Sequence, residues 1–461
     1  MKFRVVHSQD IYDVMRFDGS YHNAEANIYD GVIKKHSSHN LSYYCSEIFT
    51  SGRNKRIYTK PKFGYPFLSN SDVVSSNPFL SCKYSSKKYG YDESAVLKSG
   101  MIVTGRVGAI GQTAFIPSYV EKANAMGSDN IIRIVVKPQY NNGFIYAYLA
   151  SKIGNLSFWK HATGGVQPFI TDSMVGMLPI PLFPDDFQKK INDLVLESAR
   201  LREEATENLN IAIKAVEEFI KAKYEPTTFK CGIVKFVDIC NSLKLRIDPP
   251  ALINEGVVTM KEIKDSMPYK LIKELNYIVR RPGIFKRVKV ENGMPYIKGA
   301  DLFLSNPFRR CEHLSLSRTP FIDEMTLREG QILITCAGAV GNAKIITKEY
   351  ENKKAIGSQD IIRIDSPSET NADNLYCKEY LFAYLQQPFV YSYMQSMKYG
   401  SVIERIEPFH VESIPVVEPS AELSAKVRNL VQTYMECSYK AFCFEENAID
   451  LVEQEIEKWN K

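Results

Sequence analysis

Two basic stretches hold the side chains best suited to bind an anionic ligand. Residues 53–62 contain five cations and no acid, and residues 280–289 do the same. A single run of charge usually marks only a solvated face. Two runs at matching places of a repeated sequence favour a shared anionic ligand, of which DNA phosphate is the simplest. The candidates are Arg53, Lys55, Arg56, Lys60 and Lys62 in the first stretch and Arg280, Arg281, Lys286, Arg287 and Lys289 in the second.

Further polar side chains follow each basic stretch. Tyrosines accompany the lysines in the first half, and Arg or Lys could also read guanine edges. A Gly-containing segment rich in hydrogen-bond donors then closes each half, where it could approach a nucleic-acid backbone or form a flexible turn. These further candidates are Lys83, Lys87, Lys88, Lys160 and Gln167 in the first half and Arg309, Arg310, Lys398 and Arg405 in the second.

No motif in the sequence supports catalysis. The glycines at 105, 108 and 111 lack the spacing of a dinucleotide loop and run into another strand, which favours a tight hairpin. Asp248-Pro249-Pro250 resembles part of an amino-methyltransferase loop but lacks the aromatic residue that would stack on a flipped base. Residues 262–264 have the local spacing of a nuclease metal site, yet the first half has no equivalent. The sequence therefore predicts no catalytic residue and no metal site.

The segments that position these residues form an internal repeat. The block at 100–134 recurs at 330–364 in one constant register. Its Ile- and Val-rich runs, bounded by Gly, Pro or Asn, predict short strands. The sequence thus predicts an α+β fold with two tandem mixed α/β domains, at residues 1–184 and 225–419. We expect the shared residues to form the framework and the differing ones to carry the function.

A long helix is predicted after each domain, at residues 185–224 and 420–461. Both segments lack Gly and Pro and place apolar residues at three- and four-residue steps, which indicates one apolar stripe close to a heptad seam. Such helices of about 36–40 residues would each be roughly 55–60 Å long. We expect them to pair as an antiparallel coiled coil that separates the two domains about a pseudo-two-fold axis.

Composition restricts the compartment and the class of protein. No run of eighteen apolar residues predicts a transmembrane helix, and the first ten residues lack the apolar region of a signal peptide. The nine cysteines are scattered and never spaced Cys-x-x-Cys, which is typical of reduced thiols in the cytoplasm and argues against disulfides and zinc. The net charge of +5 is compatible with a polyanionic partner.

The whole pattern resembles the specificity (S) subunit of type I restriction–modification enzymes. The resemblance is carried by the repeated block, by Arg-x-Asp openings at Arg16 and Arg246, by proline-rich exits at 179–184 and 415–419, and by the two long helices. It implies two target-recognition domains, each reading one half of a bipartite DNA sequence. It also implies that the helices set the unspecified gap between the half-sites and dock two modification (M) subunits.

The same resemblance assigns the chemistry to partner subunits. The M subunits would bind S-adenosylmethionine and methylate adenine, and restriction (R) subunits would add ATP-driven translocation and cleavage. S-adenosylmethionine, ATP and Mg²⁺ would then belong to those partners, and this chain would be a non-catalytic recognition subunit without a cofactor. Such systems act in defence against phage.

The closing loops distinguish the two halves. Residues 164–168 read Gly-Gly-Val-Gln-Pro, as in the family, whereas residues 400–405 read Gly-Ser-Val-Ile-Glu-Arg. Gln167 is therefore a better contact candidate than Arg405. Two alternatives stay open: the recognition subunit of a type IIB enzyme or phage-defence methylation complex, and a protein-binding scaffold that does not bind DNA.

Overall fold

The chain forms two compact units, each of mixed α/β structure. The computed structural model describes residues 5–22, 25–36, 39–53, 56–220, 233–240, 245–366 and 375–459. Unit 1 comprises the residues up to Glu203 and those from Lys440 onwards, and unit 2 is Glu204–Tyr439. Because the division falls inside both long helices, each unit contains a segment of each helix. The predicted mixed α/β class is confirmed, whereas the domain limits at 184, 224 and 419 stay a prediction.

Short strands and helices alternate in the part of the chain that ends with the first long helix. The strands are β1 (His39–Asn40), β2 (Cys45–Thr50), β3 (Gly64–Leu68), β4 (Lys83–Ser86), β5 (Ile102–Gly105), β6 (Thr113–Phe115), β7 (Met126–Gly127), β8 (Ile131–Val136) and β9 (Pro179–Ile180). The helices are α1 (Ser8–Val14), α2 (Gly19–His22), α3 (Ala26–Lys35), α4 (Leu41–Tyr44), α5 (Asn70–Val73), α6 (Ser118–Lys122), α7 (Asn142–Ala150), α8 (Lys152–His161), α9 (Asp172–Gly176) and α10 (Asp185–Ile220).

The second part of the chain repeats this succession. Its strands are β10 (Tyr269–Leu271), β11 (Ile278–Arg280), β12 (Lys289–Ile297), β13 (Glu312–Leu314), β14 (Ile332–Thr335), β15 (Ala343–Ile345), β16 (Ile356–Gly357), β17 (Ile361–Asp365) and β18 (Pro415–Val417). Its helices are α11 (Phe236–Cys240), α12 (Pro249–Leu252), α13 (Glu255–Ser266), α14 (Ile322–Met325), α15 (Lys348–Asn352), α16 (Lys378–Leu385), α17 (Pro388–Ser396), α18 (Pro408–Glu412) and α19 (Ala421–Trp459).

The sheets of the two units have the same strand order. In unit 1 a four-stranded sheet runs β2-β8-β5-β6, a three-stranded sheet runs β4-β3-β7, and β1 pairs with β9. In unit 2 the orders are β11-β17-β14-β15, β13-β12-β16 and β10-β18. The registers agree as well, since Val103 lies opposite Arg133 and Leu333 opposite Arg363, each 230 positions later. The repeat in the sequence is therefore a repeat of structure.

The glycine-rich segments form the predicted hairpins. Strand β5 pairs antiparallel with β6, and β14 pairs antiparallel with β15. The turn between β5 and β6 contains Gly108 and Gly111 at φ 74° and 67°, and the second turn contains Gly338 and Gly341 at φ 73° and 90°. These left-handed conformations favour glycine, which explains its spacing without any phosphate ligand.

A buried arginine holds the turns of each framework together. In unit 1 the Arg133 side chain is completely buried in the four-stranded sheet. Its guanidinium donates hydrogen bonds of 2.7–3.0 Å to the main-chain carbonyls of Ala95, Gly127 and Ile131. Burial lowers the pKa of Arg133 to about 10, so the group stays charged at neutral pH. A charged guanidinium with several carbonyl partners satisfies the requirement that buried charge be compensated.

Unit 2 contains the same arrangement. Arg363 is also completely buried and donates to the carbonyls of Ile361 and Gly357 at 2.8 and 2.7 Å, with a longer contact of 3.5 Å to that of Met325. Desolvation lowers its pKa to about 10 as well. We name the Arg133 and Arg363 arrangements the arginine clamps. They explain why the Ile-Ile-Arg-Ile sequence occurs in both blocks.

The Arg-x-Asp openings also have a structural role. Arg16 pairs with Asp18, and Arg246 pairs with Asp248. Each guanidinium donates as well to carbonyls at the C-terminal end of a helix, where the last carbonyls lack a partner within the helix. For Arg16 the acceptors are His161, the last residue of α8, and Ala162, at 3.1 Å each. For Arg246 they are Ser396, the last residue of α17, and Lys398, at 2.8 and 2.7 Å. Hydrogen bonding from Arg246 lowers the pKa of Asp248, which keeps the pair ionised.

The first long helix begins at Asp185 and the second at Ala421, one residue after the position predicted for it, and both pack within the units. Helix α10 covers 36 residues and α19 covers 39, whereas the predicted ends at 224 and 461 lie outside the described residues. In unit 1 Phe183 stacks on Trp459 at 4.5 Å, and the Ser198 hydroxyl donates to the Ala441 carbonyl at 2.8 Å. The start of α10 therefore runs antiparallel to the end of α19. Among the described residues, no helix is long and apolar enough to span a membrane.

Candidate nucleic-acid interface

The first basic stretch leaves β2 and leads to β3 in unit 1. Arg53 and Arg56 both pair with Asp129, which lies between β7 and β8, and the Arg53 Nε is 3.5 Å from the Asp129 Oδ2. The hydrogen bond that Arg56 donates to Asp129 raises the pKa of Arg56. Arg53 nevertheless remains 84% exposed, so its guanidinium is accessible to a ligand. Lys55 lies outside the described residues.

The lysines of unit 1 lie over aromatic rings. The ammonium of Lys83 is 4.7 Å from the centre of the Tyr58 ring, and that of Lys87 is 5.1 Å from the Tyr65 ring. Lys88 and Lys62 make similar contacts with their sequence neighbours Tyr89 and Phe63, at 5.0 and 5.2 Å. The rings of Tyr58, Phe63 and Tyr89 are themselves exposed, and so is Lys60. We call this set on β3, β4 and their flanks the lysine–aromatic surface.

Such a surface suits a nucleic acid. An ammonium above an aromatic face is weakly held, by roughly 0.5–1 kcal/mol at an exposed site, so it can turn to a phosphate oxygen. The exposed rings offer apolar faces to sugars and bases. Phosphate contacts of this kind fix position on the duplex, while contacts with base edges give sequence specificity.

The matching cations of unit 2 are paired with carboxylates. Arg280 pairs with Asp365 at 2.7 Å, and Arg281 with Glu407 at 3.3 Å. The Lys289 Nζ lies 2.8 Å from the Glu312 Oε1, and the Lys298 Nζ lies 2.9 Å from the same oxygen. These two lysines lower the pKa of Glu312 through their hydrogen bonds. We call the set the carboxylate-paired surface. Its remaining predicted members are Lys286, Arg287 and Arg310, which are exposed, and Arg309, which is half-buried.

The closing loops are hairpins with exposed tips. Bridges join Thr163 to Phe169 and Tyr399 to Arg405, and each loop is also bridged to the glycine-rich hairpin of its own unit. Gln167 is exposed at the first tip, whereas Arg405 is half-buried and takes part in the bridges through its main chain. The bridges pair the two ends of each loop, and its approach to a nucleic-acid backbone stays a prediction. The preference for Gln167 over Arg405 as a contact stays a prediction and agrees with these positions.

The structure does not place Lys160 at the surface. Its side chain is 7% exposed and forms an ion pair with Asp30, and its ammonium lies 4.7 Å from the centre of the Tyr21 ring. A buried lysine needs such a partner to offset its lost hydration. Lys160 is therefore a structural cation of unit 1, because helix α8 extends to His161 and turns this side chain inward. Lys398, by contrast, is partly exposed and pairs with Glu404.

Comparison with known proteins places residues 43–215 in a family. These residues match the model described as type I restriction modification DNA specificity domain. Among solved structures, the S subunit of a type-I restriction-modification system from M. genitalium is 13% identical with a TM-score of 0.36, over 92% of this chain and 95% of that chain. The HsdS subunit from Thermoanaerobacter tengcongensis is 14% identical with a TM-score of 0.28, over 91% and 95%. No curated protein sequence matches the chain.

The matched residues include the framework that unit 2 repeats. They extend from α4 into α10 and contain the lysine–aromatic surface, the glycine-rich hairpin and the clamp at Arg133. Unit 2 has the same strand order, the same hairpin and the clamp at Arg363. Residues 43–215 therefore contain the type I restriction modification DNA specificity domain, and unit 2 repeats the framework of that domain.

Proposed function

We propose that this chain is the DNA-recognition subunit of a type I restriction–modification complex and that it reads a bipartite DNA target. Unit 1 would bind one half of the target and unit 2 the other. The observation that carries the proposal is the repeat of the matched domain's framework, in which each copy bears a cation on its three-stranded sheet, Lys83 on β4 and Lys289 on β12. The cations differ in their surroundings, which is the expected result if the two copies read different bases.

The long helices have the remaining role in this proposal. As spacers they would set the number of unspecified base pairs between the half-sites. Linking two recognition modules makes the second contact effectively intramolecular, which raises affinity and makes it depend on spacing. The same helices would dock two modification subunits, with restriction subunits completing the complex.

Catalysis and cofactors belong to the partners in this proposal. S-adenosylmethionine would be held by the modification subunits, and ATP and Mg²⁺ by the restriction subunits, so this chain would supply recognition alone. We place the complex in the cytoplasm, where its DNA substrate lies. The described cysteines are all free thiols, as in a reducing compartment.

Two other functions predict different results. A type IIB enzyme or a phage-defence methylation complex would use the same recognition and differ only in its partners. A protein-binding scaffold would have no salt-dependent affinity for DNA. For the main proposal, the logarithm of the binding constant should fall linearly with the logarithm of salt concentration, by roughly 0.9 for each neutralised phosphate.

The deciding experiment is co-expression with the neighbouring methyltransferase, followed by single-molecule mapping of methylated adenines. Replacing residues 1–180 with the first half of another family member should change one half of the methylated sequence. The matched control replaces residues 225–419 and should change only the other half. A change in both halves after either exchange would contradict independent recognition, and the absence of adenine methylation would contradict the proposal.

A further inference from the structure

The core of unit 1 contains a buried carboxylate from the second long helix. Glu445 of α19 is 5% exposed. Its Oε1 accepts a hydrogen bond of 2.5 Å from the Tyr146 hydroxyl of α7, and its Oε2 lies 2.7 Å from the Arg202 Nη2 of α10. We name Tyr146, Arg202 and Glu445 the carboxylate triad. It links three helices within an otherwise apolar cluster to which α19 contributes Ala448, Ile449, Val452 and Ile456.

Unit 2 shows what occupies the equivalent positions. From α7 onwards, each helix of the first half has its counterpart 236 positions later, with α7, α8, α9 and α10 starting at 142, 152, 172 and 185 and α16, α17, α18 and α19 at 378, 388, 408 and 421. The same interval relates the end of α19 to the end of α10, because Ala448 and Val452 correspond to Ala212 and Val216 and all four are completely buried. The two helix ends are thus equivalent elements of the two cores.

The triad has no charged counterpart in unit 2. At the same interval, Tyr146 corresponds to Phe382, Arg202 to Ser438 and Glu445 to Leu209. Phe382 and Leu209 belong to the buried apolar cluster of unit 2, and the Phe382 ring stacks on Tyr434 at 6.1 Å. We call the place where each unit packs the end of a long helix its socket. The socket of unit 1 is built around a carboxylate, and the socket of unit 2 around an aliphatic and an aromatic side chain.

We propose that the triad determines which helical segment each unit accepts. Unit 1 is selective for a helix that carries a carboxylate, residues 440–459 of α19, and unit 2 for an apolar one, residues 204–220 of α10. The wrong occupant is the α10 segment of a second copy of this chain. The repeat creates this hazard, because four buried apolar residues of the α19 segment have identical counterparts in the α10 segment, namely Ala448, Ile449, Val452 and Ile456.

The cost of each exchange follows from the side chains. If Leu209 occupied the place of Glu445, Arg202 and Tyr146 would face an aliphatic group and lose their carboxylate. If Glu445 occupied the place of Leu209, a carboxylate would be buried beside Phe382 without a cation. Removing one partner of a buried ion pair is far more costly than replacing the whole set by apolar residues. The triad therefore contributes selectivity more than stability, independently of DNA binding.

The test copies the socket of unit 2 into unit 1 of the full-length chain. The triple variant Tyr146→Phe/Arg202→Ser/Glu445→Leu is unfolded in urea, refolded, and measured by light scattering beside the wild type and Glu445→Leu. We expect the wild type to return to its starting mass. The triple variant should yield an additional species of twice that mass, because the α10 segment of another copy now fits unit 1. Glu457→Leu, the same change on the exposed side of α19, is the control.

Urea titrations separate selectivity from stability. We expect Glu445→Leu to lower the ratio of folded to unfolded protein at least tenfold. This loss is smaller than for a fully buried ion pair, because the Arg202 side chain is 24% exposed and stays partly hydrated. The triple variant should regain most of that ratio. The proposal is overturned if the triple variant refolds only to its starting mass, or if Glu445→Leu is as stable as Glu457→Leu. A triple variant that does not fold would also overturn it, because the two sockets would not then be equivalent.

Discussion

The lysine–aromatic surface of unit 1 and the carboxylate-paired surface of unit 2 present their cations in opposite ways. Lys83 and Lys87 lie over rings, and this weak attraction leaves their ammonium groups able to turn towards a phosphate. Arg280 and Arg281 lie beside carboxylates, which offset part of their charge, and Arg281 also donates a hydrogen bond to Glu407, which fixes the direction of that donor. Mobile lysines suit phosphate oxygens, whereas a fixed guanidinium suits bidentate contact with a base edge. The same framework can thus carry one surface that suits contacts with phosphate charge and another whose donors have a fixed direction.

The largest effects are expected in the framework, where the two units should not differ. Arg133→Met and Arg363→Met each leave carbonyls without donors in a buried site, which should cost about 3 kcal/mol of the stability of the affected unit. Hydrogen exchange of the strand amides, followed by mass spectrometry, measures the loss in each unit separately.

Arg106→Met, which alters a half-buried arginine in the glycine-rich turn outside the clamp, is the control. Equal losses for Arg133→Met and Arg363→Met would establish that the surfaces differ on a common framework. A loss more than twice as large in one unit would mean that the frameworks differ too.

The next effect concerns the lysines. Replacing Lys83, Lys87 and Lys88 together by glutamine should weaken DNA binding about 10- to 100-fold and reduce the salt slope by about 2–3, because each neutralised phosphate contributes roughly 0.9. Fluorescence anisotropy at several salt concentrations gives both values. The matched variant Lys289→Gln in unit 2 should change the slope by much less than 0.9, since Glu312 already offsets that charge. Equal slope changes per lysine in the two units would remove the distinction between the surfaces.

The smallest effect comes from Glu312 itself. Glu312→Gln should tighten DNA binding about three- to tenfold by releasing Lys289 and Lys298, as measured by anisotropy at one salt concentration. Because these lysines lower the pKa of Glu312 in the folded chain, the carboxylate stays ionised below the ordinary value. The ionised Glu312 therefore stabilises the folded chain at every pH above the ordinary pKa of a glutamate. This contribution is lost as the pH falls through the lower pKa that Glu312 has in the folded chain.

The stability difference between wild type and Glu312→Gln should therefore be constant from pH 8 to about pH 5 and disappear at lower pH. Glu291→Gln serves as the comparison, as an exposed glutamate on the same strand β12. Weaker DNA binding by Glu312→Gln would show that the carboxylate orients the lysines productively instead of masking them.

Local pattern was enough to predict the repeat, the glycine-rich hairpins and the start of both long helices. Each depends on neighbouring residues, such as glycines in left-handed turns or an apolar stripe. The carboxylate partners could not be predicted, because Asp129 lies 73 positions after Arg56 and Glu407 lies 126 positions after Arg281. Lys160 was predicted wrongly for the same reason, since Asp30 is 130 positions away. The rings of Tyr58 and Tyr65 could not be predicted either, because they lie more than twenty positions before Lys83 and Lys87.

The arginine clamps have a consequence for how such a protein can change over generations. Each clamp binds main-chain oxygens, which every amino acid possesses, so it is indifferent to the side chains around it. Ala95 in one copy is matched by Met325 in the other, and both carbonyls face the clamp. Substitutions can therefore accumulate around the clamp while the turns keep their places. A new DNA preference would then arise by sequence drift at the surface, without a compensating change in the interior.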